Sequence, residues 1–131
     1  MSDIKEPGFK SSELFARLAE VLEAYTPEEK AKELKKTNGI FEMQIKGASG
    51  EVKTWTIDMK KEGKVVKGKP APKPDVTIIA GDELFLDLAE GRTNGQKAFM
   101  TGKLKTKGNM MLATKLDAVL KTAQGELKAK L

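Results

Sequence analysis

The pattern that most limits the fold lies between residues 41 and 59. Phe41, Met43 and Ile45 alternate with Glu42, Gln44 and Lys46. After Gly47-Ala48-Ser49-Gly50, the residues Trp55, Ile57 and Met59 alternate with Thr54, Thr56 and Asp58. Successive side chains of an extended strand point to opposite faces. Two such runs joined by a Gly-rich turn predict a hairpin with one buried face and one polar face. An apolar sheet face has to be covered, and the flanking sequence offers helices for that purpose.

Ser12 to Tyr25 has a helical period. Leu14, Leu18, Val21, Leu22 and Tyr25 fall on one side with Phe15 beside them, and Glu13, Arg17, Glu20 and Glu23 on the other. Thr26-Pro27-Glu28-Glu29 combines a cap, a proline suited to the first helical position and a glutamate placed to close a capping box. That second helix is expected to end near Lys36, before Asn38-Gly39. Beyond the hairpin, a turn at Glu62-Gly63 leads to a short strand at Lys64 to Lys67. A Lys/Pro loop follows at Gly68 to Pro74, then a strand at Val76 to Ala80 whose apolar run predicts burial on both faces.

From Asp82, read as a cap, Leu84, Phe85 and Leu88 form a helical face that Gly91 ends. A short helix from Thr93-Asn94 carries Ala98, Phe99 and Met100 to Gly102. A strand follows at Lys103 to Lys107 with Leu104 inward. Asn109 caps a last helix with Leu112, Leu116, Val119 and Leu120 on one face, ended by Gln124-Gly125. The order αα, ββ(β), βαα, βα predicts an α+β fold with helices covering one face of a sheet. The 131 residues suit one domain. Residues 1–8 are expected to be a flexible lead, 9–125 the folded domain and 126–131 a tail.

Composition narrows the chemistry. The chain has no Cys and no His. This removes disulfides, thiolate catalysis and zinc–thiolate sites, together with the usual neutral-pH base and commonest transition-metal ligand. No metal or cofactor is expected. The net charge is +5, yet only Arg17 and Arg92 are arginines. Nucleic-acid readers favour Arg for its bidentate contacts, so a lysine excess fits an anionic membrane or small anion equally well. No run approaches the roughly 18 apolar residues of a spanning helix, and MSDIKEPGFK has no apolar core of a secretory signal. The chain therefore reads as intracellular.

Other motifs carry less. Gly63 to Pro70 approaches a phosphate-binding loop, but Pro70 stands where a metal-binding hydroxyl is required. Glu28/Glu29 and Glu83/Asp87 suit capping and a solvated face better than acid–base catalysis. The stretch 60–73 holds six lysines. It reads as an edge strand and loop kept soluble by charge, or as a docking site for anionic lipid headgroups. The six methionines suit irregular spaces, whether filled or open. The terminal Ala129-Lys130-Leu131 matches the small-basic-leucine address read by the peroxisomal import receptor.

The residues Gly91-Arg92-Thr93-Asn94-Gly95-Gln96-Lys97-Ala98-Phe99-Met100-Thr101-Gly102-Lys103-Leu104-Lys105, continuing as Thr106-Lys107-Gly108-Asn109-Met110-Met111-Leu112-Ala113-Thr114-Lys115-Leu116, resemble the signature of the sterol carrier protein 2 family. Trp55-Thr56-Ile57-Asp58 and Pro74-Asp75-Val76-Thr77-Ile78 resemble strands of that family. The likeness covers roughly residues 10–120. Thr106 stands where the family usually has an aliphatic residue. Met111 stands where it often has Gly, a change expected to narrow or reshape a cavity.

The resemblance implies a five-stranded, mostly antiparallel sheet with helices on one face. It implies an apolar tunnel between them for fatty acids, fatty acyl-CoA or sterols, with no cofactor and no catalysis. The walls implied are Trp55, Ile57, Ile78 and Leu104 from the sheet, and Phe85, Leu88, Phe99, Met100, Met110, Met111, Leu112, Leu116 and Leu120 from the helices. Gln96 is read either as a headgroup ligand or as the partner of Thr93 in a capping box. Lys97 and Lys103 are candidates to attract a carboxylate or CoA phosphates. A monomer in the peroxisomal matrix, with a cytoplasmic pool and transient contact with anionic membranes, is the expected setting. The rival readings are an acyl-CoA enzyme, opposed by the missing His and Cys, and a basic nucleic-acid module, opposed by the scarcity of Arg. A chaperone presenting acyl-CoA to peroxisomal enzymes is an elaboration of the carrier.

Overall fold

The computed structural model describes residues 4, 6, 8–68, 73–109, 111, 112 and 115. The elements run α1 (Ser11–Ala24), α2 (Pro27–Thr37), β1 (Gly39–Lys46), β2 (Val52–Met59), β3 (Lys64–Lys67), β4 (Val76–Gly81), α3 (Asp82–Glu90), α4 (Gly95–Met100) and β5 (Lys105–Gly108). Residues 111, 112 and 115 are helical. The strands form one five-stranded sheet in the order β3-β2-β1-β4-β5. β1 pairs antiparallel with β2 and parallel with β4, and the two outer pairings are antiparallel. The fold is thus α+β with a mixed, mostly antiparallel sheet.

Register assigns the two faces. Met43 lies opposite Trp55 on β2 and Ile78 on β4, and Phe41 opposite Ile57 and Val76. These residues, with Ile45, Met59, Val65 and Ala80, are buried and share one face. The opposite face carries Thr54, Thr56, Asp58, Glu42, Gln44, Thr77, Lys105 and Lys107. The alternation in the hairpin therefore does what its period demands.

α1 covers the apolar face with Leu14, Phe15, Leu18, Val21 and Leu22, and keeps Glu13, Arg17, Glu20 and Glu23 exposed. The α2 capping box is complete. Thr26 Oγ1 accepts from the Glu29 amide at 3.1 Å, and Glu29 Oε1 accepts from the Thr26 amide at 2.9 Å. α2 stops where Asn38 turns left-handed, at φ 49°, and its amide donates to the Leu34 carbonyl. Gly91, at φ 81°, ends α3 as its sequence position predicts.

Four local expectations need correcting. Asp82 does not cap α3, since Gly81 holds that position and Asp82 is the first helical residue. Its carboxylate instead accepts from the amides of Lys10 (2.9 Å) and Ser11 (2.8 Å), at the start of α1. α1 has no side-chain cap of its own, so the carboxylate supplies one from a distant part of the chain. The cap of α4 is Asn94, whose Oδ1 accepts from the Lys97 amide at 2.7 Å. Gln96 is thus one residue out of phase for a capping box, and the pairing with Thr93 does not form. β4 is buried on one face only. Val76, Ile78 and Ala80 are covered, whereas Thr77 and Ile79 are half-buried on the polar face, where Ile79 lies opposite Lys105. Lastly, β5 starts at Lys105, and Leu104 buries itself just ahead of it.

Of residues 1–8, expected to be a flexible lead, the described ones make defined contacts. The Ile4 carbonyl accepts from Trp55 Nε1 at 2.7 Å, and Glu6 pairs with Lys67. At the other end, Leu112 lies on the start of β1, and its Cδ2 would be 2.5 Å from a Cβ added to Gly39. Only glycine leaves that space. Lys115 Nζ donates to the carbonyls of Lys36 (3.2 Å) and Thr37 (3.3 Å), placing a cation on the negative end of α2.

Asp82→Ala removes the partner of two amides at a part-buried helix start. It is expected to cost about 2–4 kcal/mol of unfolding free energy. Thr26→Ala, at an exposed cap, is expected to cost about 1 kcal/mol. Thermal or urea unfolding of both variants tests the order, and equal losses would mean that the distant carboxylate is not the cap of α1.

Candidate functional site

Seven of the residues expected to line a cavity come together. Trp55, Ile57, Ile78, Phe85, Leu88, Leu104 and Leu112 belong to one apolar cluster between the sheet and the helices. None of them is more than 5% exposed. Aromatic rings join the layers there. Phe15 of α1 stacks on Trp55 of β2 with centroids 5.0 Å apart, and the same ring packs on Phe85 of α3, also at 5.0 Å. Phe9 meets the edge of Trp55 at 5.5 Å. The indole N–H is the one polar atom that this ring brings into the cluster, and the Ile4 carbonyl satisfies it.

Four expected lining residues lie elsewhere. Gln96 is exposed on α4. Phe99 is 45% exposed, Met100 76% and Met111 75%. For the three on α4 the reason is its shortness. Six residues present one buried position to the core, and Ala98 occupies it, so the larger neighbours turn outward. Met111 accordingly does not fill or narrow the interior. Met110, Leu116, Leu120 and the terminal Ala129, Lys130 and Leu131 lie outside the described residues.

Sequence reasoning missed other members of the cluster. Phe15, Leu18 and Leu22 of α1, and Phe41, Met43 and Ile45 of β1, are as deeply buried as the residues it chose. Their periodicity was visible, but period alone does not say which helix lies over which strand. Phe9 was missed too, although its place five residues before Leu14 is the spacing of a hydrophobic staple.

A groove of about 1030 Å³ opens where the end of β1, the β4–α3 junction and the segment before α1 meet. It contains none of the expected lining residues. Glu6, Glu13, Asp82 and Glu83 line it beside Lys10 and Lys46. Phe9, Ala48 and Leu84 are part of the same wall. Among the described residues no group of carboxylates is placed to hold a metal ion, and no helix is long and apolar enough to cross a membrane.

The fold is a two-layer α+β domain with one continuous apolar cluster between sheet and helices. The match to the SCP-2 sterol transfer family model over residues 18–121 places the chain in that family. It is 39% identical over 127 residues to a fatty acid-binding protein of Yarrowia lipolytica, covering 95% of this chain and 98% of the relative. It is 41% identical over 119 residues to the oleate-induced peroxisomal protein POX18 of Candida maltosa, covering 90% and 92%. The fold superposes on the apo form of sterol carrier protein 2 from Yarrowia lipolytica with a TM-score of 0.85. That alignment has 38% identity and covers 94% and 98% of the two chains. Two of these relatives, matched over nearly their whole length, are named for fatty-acid binding and for sterol carriage.

Electrostatics around the cluster are those of an exposed rim. The hydrogen bond from Lys67 holds the Glu6 carboxyl below its ordinary value. Desolvation opposes it, and the charges of Lys67 and Lys53 assist. Lys53 and Lys64 are pushed upward by hydrogen bonds to Glu51 and Glu62. For Glu6 the sign follows from the lowered value. Its hold on the lead is complete above the ordinary glutamate pKa and fades as pH falls through the lowered one. An NMR titration of the carboxyl carbon is expected to show the depressed midpoint, returning toward the ordinary value in Lys67→Met. An unchanged midpoint in that variant would remove Lys67 as the cause.

Proposed function

We propose that the chain is a lipid carrier that takes one fatty acid, fatty acyl-CoA or sterol into an apolar cavity opened between the sheet and the helices, and that it works in peroxisomes. The observation that carries this reading is the cluster itself. Trp55, Ile57, Ile78, Phe85, Leu88, Leu104 and Leu112, chosen from the sequence as walls, form one apolar layer contacted by separate elements. The near full-length likeness to a fatty acid-binding protein favours acyl chains as cargo. The likeness to an oleate-induced peroxisomal protein, with the terminal Ala129-Lys130-Leu131, favours import through the peroxisomal receptor.

The driving force is the removal of methylenes from water, about 0.8 kcal/mol each. An apolar layer held by a few aromatic contacts yields to an acyl chain by sliding helices over the sheet. Methionine at position 43 adds a flexible wall. A polar headgroup stays at the surface, and the exposed Gln96 is its proposed partner. The chain acts as a monomer and touches membranes only to load and unload.

Titration with a fluorescent fatty acid at physiological salt is expected to saturate near one per chain and to be reversed by oleoyl-CoA. Affinity is expected to tighten by up to about fourfold per added methylene until the cavity is full. Bound lipid also raises the unfolding temperature by mass action. Trp55, the one tryptophan of the chain, reports occupancy through its emission. A folded protein showing no saturable binding would overturn the carrier reading. Gln96→Ala is expected to weaken fatty-acid binding severalfold while leaving unfolding unchanged, and unaltered affinity would remove Gln96 from the headgroup site.

A further inference from the structure

We propose that the turn from α4 to β5 is the surface by which the protein docks on an anionic phospholipid membrane, an inference that rests on the carrier reading. Three of the four large apolar residues exposed among the described ones, Phe99, Met100 and Met111, fall in this part of the chain. Residues 91–116 contain Arg92, Lys97, Lys103, Lys105, Lys107 and Lys115 and not one Asp or Glu. Apolar tips set among cations are what an interface of anionic headgroups over acyl chains recognises.

The local geometry makes the tip a fixed feature. The buried residues Ala98 and Leu104 anchor its two ends. The Ala98 carbonyl accepts from the amides of Lys103 (2.9 Å) and Leu104 (3.1 Å), folding the segment back on itself. Between the anchors, Phe99, Met100, Thr101, Gly102 and Lys103 are all exposed. Lys97 and Lys103 thus flank Phe99 and Met100 on one compact turn.

Charge pairing separates this surface from the lysine-rich stretch 60–73. There Lys60 pairs with Asp75, Lys64 with Glu62 and Lys67 with Glu6. Among the described residues no carboxylate forms an ion pair with Lys97, Lys103, Lys105 or Lys107. Lys105 and Lys107 stand on the polar sheet face beside the tip and extend its positive field. Arg92 is the exception, held by Asp87 and Glu90.

The absence of cysteine makes the test direct. Met100→Cys carries an environment-sensitive fluorophore, and Ala31→Cys on the mixed-charge α2 carries the same label as control. Vesicles of phosphatidylcholine with about one-third phosphatidylserine are expected to brighten and blue-shift the label at position 100, with no response at 31. Pure phosphatidylcholine is expected to leave both unchanged. Lys97→Glu with Lys103→Glu, and separately Phe99→Ser with Met100→Ser, are expected to lower sedimentation with the anionic vesicles about tenfold or more. Circular dichroism and thermal unfolding confirm that each variant is folded. An equal response at 31, no vesicle binding, or full binding by both double variants would overturn the proposal. So would a response at 100 that tracks protein concentration without lipid, which would give the patch to a second copy of the chain. Fatty-acid titration of the unaltered protein runs alongside. Cargo binding without vesicle binding sinks the docking surface alone, and vesicle binding without cargo binding sinks the carrier reading alone.

Discussion

The fold depends on a short column of rings. Phe85 packs on Phe15, Phe15 on Trp55, and Trp55 meets Phe9, so α3, α1, β2 and the segment before α1 share one line of contact. Aromatic side chains bury large areas with few torsions to fix, which makes such a column an efficient seam between two layers. The central strand β1 lies within the same layer, and Phe41, Met43 and Ile45 present a continuous surface to it.

Polar contacts finish what the seam starts. The carboxylate of Asp82 binds the first amides of α1, and the Trp55 indole binds the Ile4 carbonyl. Lys115 reaches the last carbonyls of α2. Each satisfies groups that a helix end or a buried ring would otherwise leave open, at the margin of the apolar layer rather than within it. Among the described residues the cluster between sheet and helices is built of apolar side chains. That suits cargo recognised by its hydrocarbon and not by a pattern of hydrogen bonds.

The sheet and most helix boundaries were legible because they rest on local rules. Alternation gave the β1–β2 hairpin, and Thr26 with Glu29 gave the start of α2. The candidate site was legible in half. The buried positions of long elements, such as Trp55, Ile57, Ile78 and Phe85, follow from period and type. Phe99 and Met100 did not, because a six-residue helix has too little length to set its own buried face, and the anchors Ala98 and Leu104 decide it. Asp82 misled for a related reason. A capping residue just before a helix is usually local, and nothing in the neighbouring sequence tells that its partners are Lys10 and Ser11.

The same carboxylate has a consequence for the birth of the chain. During synthesis α1 is made before the group that completes its first turn, which lies 71 residues after Ser11. Until then the nascent helix has an open start and no sheet to lie on, since β1 and β2 also follow it. Short isolated helices are marginal in water, so α1 stays marginal until the β4–α3 junction is made. Closure of α1 over the sheet therefore waits for that junction. Mutations at that junction are felt first as lost yield of folded protein, before any defect in what the protein carries.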